Sequence, residues 1–434
     1  MNSTLNFAGD INIEDISIIS SSGVTYPLIN QLLSIQIFED LYSPFITGSL
    51  ILKDSLDFIN LTPIIGQELL NVKLSTPGIE DTGVGRLEQQ FFIYRIKDRE
   101  VMGDRSITYT LDFISKEAVM NTNTKLSKGY KGNISDIVSQ IVLDDRVQFN
   151  LEKDFYIEPT NNKTQYVSNY WSPVKNLNYL ASMALNKNDS PSFIFYECRS
   201  GFKFLSLDSL CEEPEIIQDF IFADQTQVVD VGSSHTDIEL NYSKIESIRF
   251  VEGINTLERM KEGMLASVML TNDIVSKRFS SNYFNYQLGF FKKDQSGNIK
   301  PHLNKYPLIT DRSPIDPLSL LISSSKSAYT FNDFYDSTNS NYLQQRLYEL
   351  REKSDFSLQL DIIGRFSYIV GQVVHLDLGL NIPVYNTSDN IDDNIYSGNY
   401  LITAINHFIT RERHKCTIEI SKDSYSLDYQ NLLT

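Results

Sequence analysis

The sequence predicts an α+β fold, mainly β: two similar antiparallel β-barrel domains with two α+β insertion domains. Three observations carry this reading. First, a cluster of four strand-like segments occurs twice, at Gly48–Asp54, Ile65–Leu74, Phe91–Lys97 and Ser106–Phe113, and again at Phe356–Asp361, Val370–Leu378, Tyr400–Asn406 and Lys415–Ser421. Both copies run in the order strand, Gly-Gln turn, strand, long polar loop, strand, short turn, strand. Second, the segments alternate apolar and polar residues at period two, the mark of half-buried strands. Third, helical periodicity enters only between the copies, from Asn133 onward. Three chains with two copies each would bring six similar modules together, which points toward a structural ring rather than an enzyme.

After a polar N-terminal tail, Leu33–Phe38 alternates as a strand and Gly48–Lys53 follows as the next. Thr76-Pro77-Gly78 opens a loop that Gly83 and Gly85 keep irregular as far as Gln90. The two following strands end near Ser115 and complete a small antiparallel barrel or sandwich. Asn133 is placed to cap a helix whose apolar face is Ile134, Ile137, Val138, Ile141 and Val142. A second helix starts at Ser172-Pro173, with proline in the favoured first turn, and presents Val174, Leu177, Leu180, Ala181, Ala184 and Leu185. A hairpin of Phe193–Glu197 and Phe202–Leu207 follows, with Gly201 ending its turn. The second barrel begins at Ile245–Phe250, with a short helix at Asn255–Lys261 and a strand at Gly263–Leu270. Residues 280–350 are rich in Ser, Asn and Tyr, and only Tyr342–Lys353 reads plainly as helix. These assignments divide the chain into a first barrel (1–118), an α+β insertion (119–235), a second barrel (236–270 with 352–434) and a second insertion of loop and helix (271–351).

Length and composition agree with several packed domains. The chain has 434 residues, 41% hydrophobic and 12% aromatic, ample for globular cores. No stretch approaches the roughly 20 apolar residues that span a bilayer, so no membrane insertion is expected. Residues 1–10 carry no basic n-region and no apolar h-region, so nothing there reads as a signal peptide. Cys198, Cys211 and Cys416 are far from any Cys-x-x-Cys spacing and read as reduced thiols of a cytosolic folding environment rather than a disulfide framework. The net charge of −17 argues against gripping nucleic acid by its phosphates, though it suits a wall past which DNA slides.

Catalytic chemistry is not legible. The acid pairs Asp144-Asp145, Glu212-Glu213 and Asp392-Asp393 are adjacent in sequence and point apart, so they read as solvated faces rather than a glycosidase pair. The histidines His235, His302, His375, His407 and His414 show no zinc-type pairing, and His407 and His414 flank one turn, where ordinary packing accounts for them. The loop Thr387–Asn394 lacks the glycine and terminal glutamate of a calcium loop. Trp171 reads as a core anchor. No metal, cofactor or catalytic residue is assigned, and the chain is expected not to be an enzyme.

The strand faces offer the one candidate site. Ile107, Tyr109, Leu111 and Phe113 alternate with Thr108, Thr110 and Asp112; Leu358 and Leu360 alternate with Gln359 and Asp361; Ile418 and Ile420 alternate with Thr417 and Glu419. These polar faces are small, neutral or acidic and almost free of Lys and Arg, apart from Arg95, Lys97 and Arg99 in the first copy. That chemistry suits a lumen as well as a face exposed to bulk water. Thr108, Thr110, Asp112, Gln359, Asp361, Thr417 and Glu419 are therefore the candidate channel-lining residues.

Four segments resemble the central baseplate hub proteins of contractile-tailed bacteriophages, related to the late-control-D and VgrG hub proteins. They are Ser397–His407, with its Gly-x-Tyr-x-Ile…His strand; the turn Gly371-Gln372-Val373-Val374; Tyr130–Ile137; and Asn169–Ala181, with a Ser-Pro helix. The resemblance implies tube-type barrels and a homotrimeric, pseudo-six-fold ring enclosing a channel that DNA traverses without specific binding. It implies a central spike trimer on one side and tail-tube or tube-initiator proteins on the other, with baseplate wedge proteins and a tape measure as further partners. It places the protein in the virion, at the tail baseplate, after assembly in the host cytoplasm. Two other functions stay open at this level: a receptor- or glycan-binding tail protein using the Tyr- and Asn-rich region 280–345, and the hub of a bacterial contractile injection system.

Overall fold

The computed structural model describes residues 7–20, 23–55, 64–79, 84–102, 106–147, 149, 153–212, 214–222, 241–252, 255–273, 277–292, 297, 299–308, 319–324, 339–353, 356–378 and 395–426. The first seven strands are β1 (Asn12–Ile19), β2 (Thr25–Pro27), β3 (Leu32–Asp40), β4 (Thr47–Asp54), β5 (Leu69–Ser75), β6 (Arg86–Met102) and β7 (Ser106–Ser115). They pair antiparallel in the order β3-β4-β7-β6-β5-β1-β2. Alternation sends one side of each strand inward: Ile35 and Ile37, Leu50 and Leu52, Leu70 and Val72, Tyr109, Leu111 and Phe113 form one buried cluster. Gly48 is required there, because a Cβ would meet the Phe113 ring at 2.2 Å and the Gln36 carbonyl oxygen at 2.4 Å.

The insertion after β7 comprises α1 (Lys116–Asn123), β8 (Gly129–Asn133), α2 (Ile134–Val142), β9 (Phe155–Ile157), β10 (Lys163–Val167), α3 (Pro173–Ala181), β11 (Phe193–Cys198), β12 (Gly201–Ser206), α4 (Leu207–Cys211) and β13 (Ile216–Ile221). All five apolar residues of the α2 face are buried, each worth about 1.5–3 kcal/mol relative to exposure. Asn133 occupies the N-cap but its side chain makes no capping bond. Thr160 does that work from a neighbouring segment, its hydroxyl accepting the Ser135 N–H at 2.9 Å. The helix α3 ends at Ala181, so Ala184 and Leu185 are buried beyond its end. The hairpin β11-β12 joins β9 in a three-stranded sheet, and Phe155, Phe195 and Phe202 stack over it. β13 pairs in parallel with a strand of the second copy.

The rest of the chain forms β14 (Ile245–Glu252), α5 (Thr256–Glu262), β15 (Ala266–Asp273), β16 (Arg278–Asn285), α6 (Tyr286–Phe290), β17 (Tyr306–Pro307), β18 (Ser319–Ser324), α7 (Asn339–Glu352), β19 (Ser357–Ile363), β20 (Val373–Asp377), β21 (Gly398–Ile409), β22 (His414–Ser421) and β23 (Ser424–Tyr425). The expected strand at Gly263 starts three residues later, because Gly263 adopts a left-handed conformation that caps α5. β16-β15-β18 make a small sheet, and Met264, Tyr286, Phe290 and Tyr348 gather into a separate cluster.

The two copies match in topology as well as in sequence. β4-β7-β6-β5 in the first corresponds to β19-β22-β21-β20 in the second, with β3 beside β4 as β14 is beside β19. Both long strands carry a bulge at the same place, between Ile93 and Arg95 and between Ile402 and Ala404. The turn before β5 has Gly66 at φ 88° and that before β20 has Gly371 at φ 89°, a region that side-chain-bearing residues rarely occupy. Glu68 accepts the N–H groups of Ile65, Gly66 and Gln67, and Gln372 likewise accepts that of Ile369. The expected barrels are not separate bodies. β21 is long enough to pair β20 with its first half and β3 with its second, so both copies share one thirteen-stranded sheet. Among the described residues this sheet does not close on itself.

Candidate functional site

Following registered partners across the sheet shows that all seven candidate residues lie on one face. Gln359 stands opposite Glu419, and Glu419 opposite Ala404, which in turn faces Asp40. Asp361 stands opposite Thr417, then come Asn406, Phe38, Thr47 and Ile114. Asp112 and Thr110 share the side of β7 that carries Ile114, because side chains alternate at period two. The opposite side of the same strands packs the cores. By equivalence across the bulges, Asp112 and Thr110 of the first copy correspond to Glu419 and Thr417 of the second. The strand-by-strand alternation thus found one continuous polar surface spanning the seam.

That surface is not free of basic residues. Arg95 Nε donates to Asp112 Oδ2 at 2.7 Å and Lys97 Nζ lies 3.0 Å from Asp112 Oδ1. Thr108, Thr110 and Asp112 are buried in the single chain, whereas Gln359, Asp361, Thr417 and Glu419 are half-buried. In the second copy Asp361 accepts hydrogen bonds from Thr417 at 2.7 Å and from Ser247 at 2.5 Å. Burial pushes its pKa up, but these bonds and the Arg249 and Lys415 charges outweigh that and hold it below the usual range. Lys415 pairs with Glu246 at 2.6 Å, and Thr403 donates to Glu419 at 3.0 Å. Reading strands singly marked Arg95 and Lys97 on their own strand but not their pairing with Asp112, and passed over Arg249 and Lys415. The result is a face whose charges are largely answered within the chain.

The sheet has two open edges that correspond to each other. At the seam, β3 pairs with the second half of β21 from Ala404 to Ile409. In the first copy, the equivalent half of β6, from Tyr94 onward, has β7 on one side and no strand on the other among the described residues. In the second copy, β14, the equivalent of β3, pairs only with β19. Exposed apolar side chains cluster on both: Tyr94 (48%) and Val101 (76%) on β6, Phe250 (57%) and Val251 (47%) on β14. Unpaired edges with exposed apolar residues are sites for strand addition.

The remaining residues singled out in sequence are accounted for locally. Asp144 binds Arg146 within one turn, which holds its carboxyl below the usual range, and Glu212 pairs with Lys187. Trp171 is half-buried, edge-on to Tyr179 with Lys175 over its ring, rather than a deep core anchor. Residues 223–240, 309–318, 325–338 and 379–394 lie outside the described residues, and with them His235, the acid pair at 392–393 and the loop 387–394. Sequence reasoning missed two constellations. Arg199, at the β11-β12 turn, reaches buried Glu39 on β3. His407, His414 and Cys416 converge at the seam, and the His-x-Cys spacing of the last two was the available signal.

No family model and no curated protein matches the chain. Solved structures do. A 43 kDa tail protein of prophage MuSo2 from Shewanella oneidensis superposes with a TM-score of 0.56 at 9% identity, covering 95% of this chain and 99% of that one. The tail protein from Neisseria meningitidis MC58 gives 0.54 at 8% identity, covering 94% and 96%. A component of the type VI secretion system of E. coli gives 0.43 at 10% identity, covering 92% and 75%. The chain thus shares its mainly β, α+β fold with these two tail proteins over nearly its whole length.

Proposed function

We propose that the chain is a structural baseplate hub of a contractile phage tail, a homotrimer whose six modules form a pseudo-six-fold ring around a channel. The observation that carries this is the pair of matched open edges. The chain already contains one β3–β21 junction between modules. Its two free edges are the halves of a second such junction, so the outward edge of β14 in one chain meets the second half of β6 in the next. Three chains joined this way bring six quasi-equivalent junctions, three within chains and three between them. The shared polar face, with the seven candidate residues, lines the channel. DNA passes without specific binding because Arg95, Lys97 and Lys415 on that face are paired with acids and the chain carries −17 overall. The spike trimer lies on one side of the ring and the tail tube on the other, and the chain acts as an adaptor rather than an enzyme, in the virion tail.

Register equivalence gives the test. Asn406 faces Phe38 at the seam. The matching positions are Lys97, opposite Thr110 as Asn406 is opposite Thr417, and Glu252, opposite Ser357 as Phe38 is opposite Thr47. The double variant Lys97→Cys/Glu252→Cys should form a chain-to-chain disulfide under mild oxidation and run as a covalent trimer, while each single variant should not. Mass photometry should show a trimer, alone or with the spike protein. A protein that stays monomeric with its spike, or a double variant that forms no interchain bond, would defeat the ring.

A further inference from the structure

We propose that His407, His414 and Cys416 bind one soft d10 cation, Zn2+ or Cu+, that clips β21 to β22 where β21 also receives β3 at the seam. The three residues come from the end of β21 and the start of β22, where β21 also pairs with β3. All three are buried, and among the described residues no other cluster joins two imidazoles to a thiol. His407 Nδ1 lies 3.0 Å from His414 Nε2 and 3.1 Å from Cys416 Sγ, and Cys416 Sγ lies 3.4 Å from His414 Nε2. The circle through three points at these spacings has a radius of about 1.8 Å, so a cation out of their plane can sit about 2 Å from the two nitrogens and, displaced away from the sulfur, about 2.3 Å from it, the lengths of zinc–nitrogen and zinc–sulfur bonds.

One of the two imidazoles, His407, has a carboxylate behind it as a ligating histidine would, whereas the outer nitrogen of His414 has no hydrogen-bond partner. Metal-bound imidazoles present their other nitrogen to a carboxylate or carbonyl, which fixes tautomer and ring. The outer nitrogen of His407, Nε2, faces Glu39 Oε1 at 3.7 Å, and Glu39 is itself held by Arg199. The Phe366 ring packs against both imidazoles, and the backbones of Gly9 and Gly364 hydrogen-bond to the His414 main chain, which holds the strand start that carries it. Two neutral imidazoles and one thiolate favour soft or borderline cations over Mg2+ or Ca2+. The thiolate also supplies the negative charge that a buried cation needs beside the Arg199 guanidinium, whose own charge Glu39 answers. Without a cation, burial pushes the Cys416 thiol up to about 12 and His414 well below its ordinary value. The other carboxylate–histidine cluster, His302, Glu352 and Asp423, differs: the Lys353 ammonium already pairs with Asp423. A cation there would hold the two strands of the hairpin together, because the site exists only when β21 and β22 are paired, and it would touch the first copy only through Glu39 behind His407.

The test uses the full chain without a histidine tag. Elemental analysis of the purified protein should give about one zinc or one copper per chain, which also distinguishes the two cations. Unfolding with chelator and refolding with one equivalent of Co2+ should produce a thiolate-to-metal charge-transfer band. Cys416→Val, nearly isosteric and apolar, should cut bound metal to under a tenth of an equivalent, and a chelator should lower the unfolding midpoint of the native protein but not of this variant. A native protein that stays metal-free and takes up no Zn2+, Co2+ or Cu+ on refolding would show a hydrogen-bonded core only and overturn the proposal. Metal retained at full occupancy in Cys416→Val would place it elsewhere and overturn it equally.

Discussion

Replacing Arg199 with Met should be among the most destabilising single changes in this chain. The side chain leaves the β11-β12 turn of the insertion, donates from Nε to Glu39 Oε1 of β3 at 2.7 Å, and donates from Nη2 to the carbonyls of Phe366 and Tyr368. Its guanidinium also lies over the Phe366 ring, 5.0 Å from the centroid. One residue therefore ties the insertion to both copies. Glu39 is 1% exposed, so removing its partner leaves a buried charge, a change that costs about 3–5 kcal/mol against a typical total stability of about 5–15 kcal/mol. Removing both members as Glu39→Met/Arg199→Met should restore much of that, giving a coupling energy of about 2 kcal/mol or more in a double-mutant cycle. The pH dependence is fixed in sign. Burial pushes Glu39 up, but Arg199 and the His407 ring outweigh it and hold its pKa below the ordinary value. A depressed carboxylate contributes stability above the unfolded pKa of about 4.3, and that contribution is lost as pH falls through the folded value. In Arg199→Met the main opposing charge is gone and burial prevails, so the deficit should be largest at neutral pH and shrink on acidification. Urea titrations at pH 8, 6 and 5 would measure it. A loss under 1 kcal/mol, or one that does not change with pH, would refute the reasoning.

Two further outcomes follow from the same geometry. Gly371→Ala should cost more than Gly66→Ala: both place a side chain at positive φ, about 1–2 kcal/mol, but only at Gly371 does the new Cβ come within 2.7 Å of the Tyr196 hydroxyl oxygen; urea midpoints of the pair would check the order. Lys153→Met should destabilise by about 3–5 kcal/mol at neutral pH, because Lys153 pairs with two buried acids, Glu117 and Glu197. Burial lowers the Lys153 pKa but the two carboxylates outweigh it and raise it, so its contribution is complete below the unfolded lysine value and lost only as pH rises through the folded one. Burial already raises Glu197, so acid should partly rescue the variant by protonating it, which denaturation at pH 5 against pH 8 would show.

What the sequence made legible was whatever depends on one strand or helix at a time. Alternation placed Leu50, Leu111, Leu360 and Ile418 inside and the seven candidate residues on the other face, and the repeated Gly-Gln turns marked equivalent positions in the two copies. Contacts between distant segments were illegible. Asn133 looked like a cap, yet a hydroxyl 25 residues on from Ser135 binds the helix end. Arg199 and Glu39 are 160 residues apart, so no spacing could pair them. Arg95 and Lys97 stood out on their own strand, but only the register of β6 on β7 reveals that they pair with Asp112. The seam escaped notice for the same reason, since nothing in β21 alone says that its last half accepts β3.

The seam also decides what the open edges imply. A head-to-tail junction between chains closes into a ring only if its rotation divides a full turn; otherwise it propagates as a helix. Within the chain, the β3–β21 junction already fixes the rotation of one copy against the other, with matched bulges imposing similar twist on both long strands. If the junction between chains repeats that geometry, as the correspondence of β14 with β3 and of β6 with β21 requires, the number of chains is set by the internal rotation alone. A rotation of a sixth of a turn per module demands three chains. A pure monomer would instead leave Phe250, Val251, Tyr94 and Val101 on bare strand edges, an arrangement that sequences avoid because it templates aggregation. Val101→Lys on the β6 edge should therefore leave the fold intact and shift mass photometry from trimer toward monomer. Trimers that persist unchanged in that variant would mean that the chains meet through another surface.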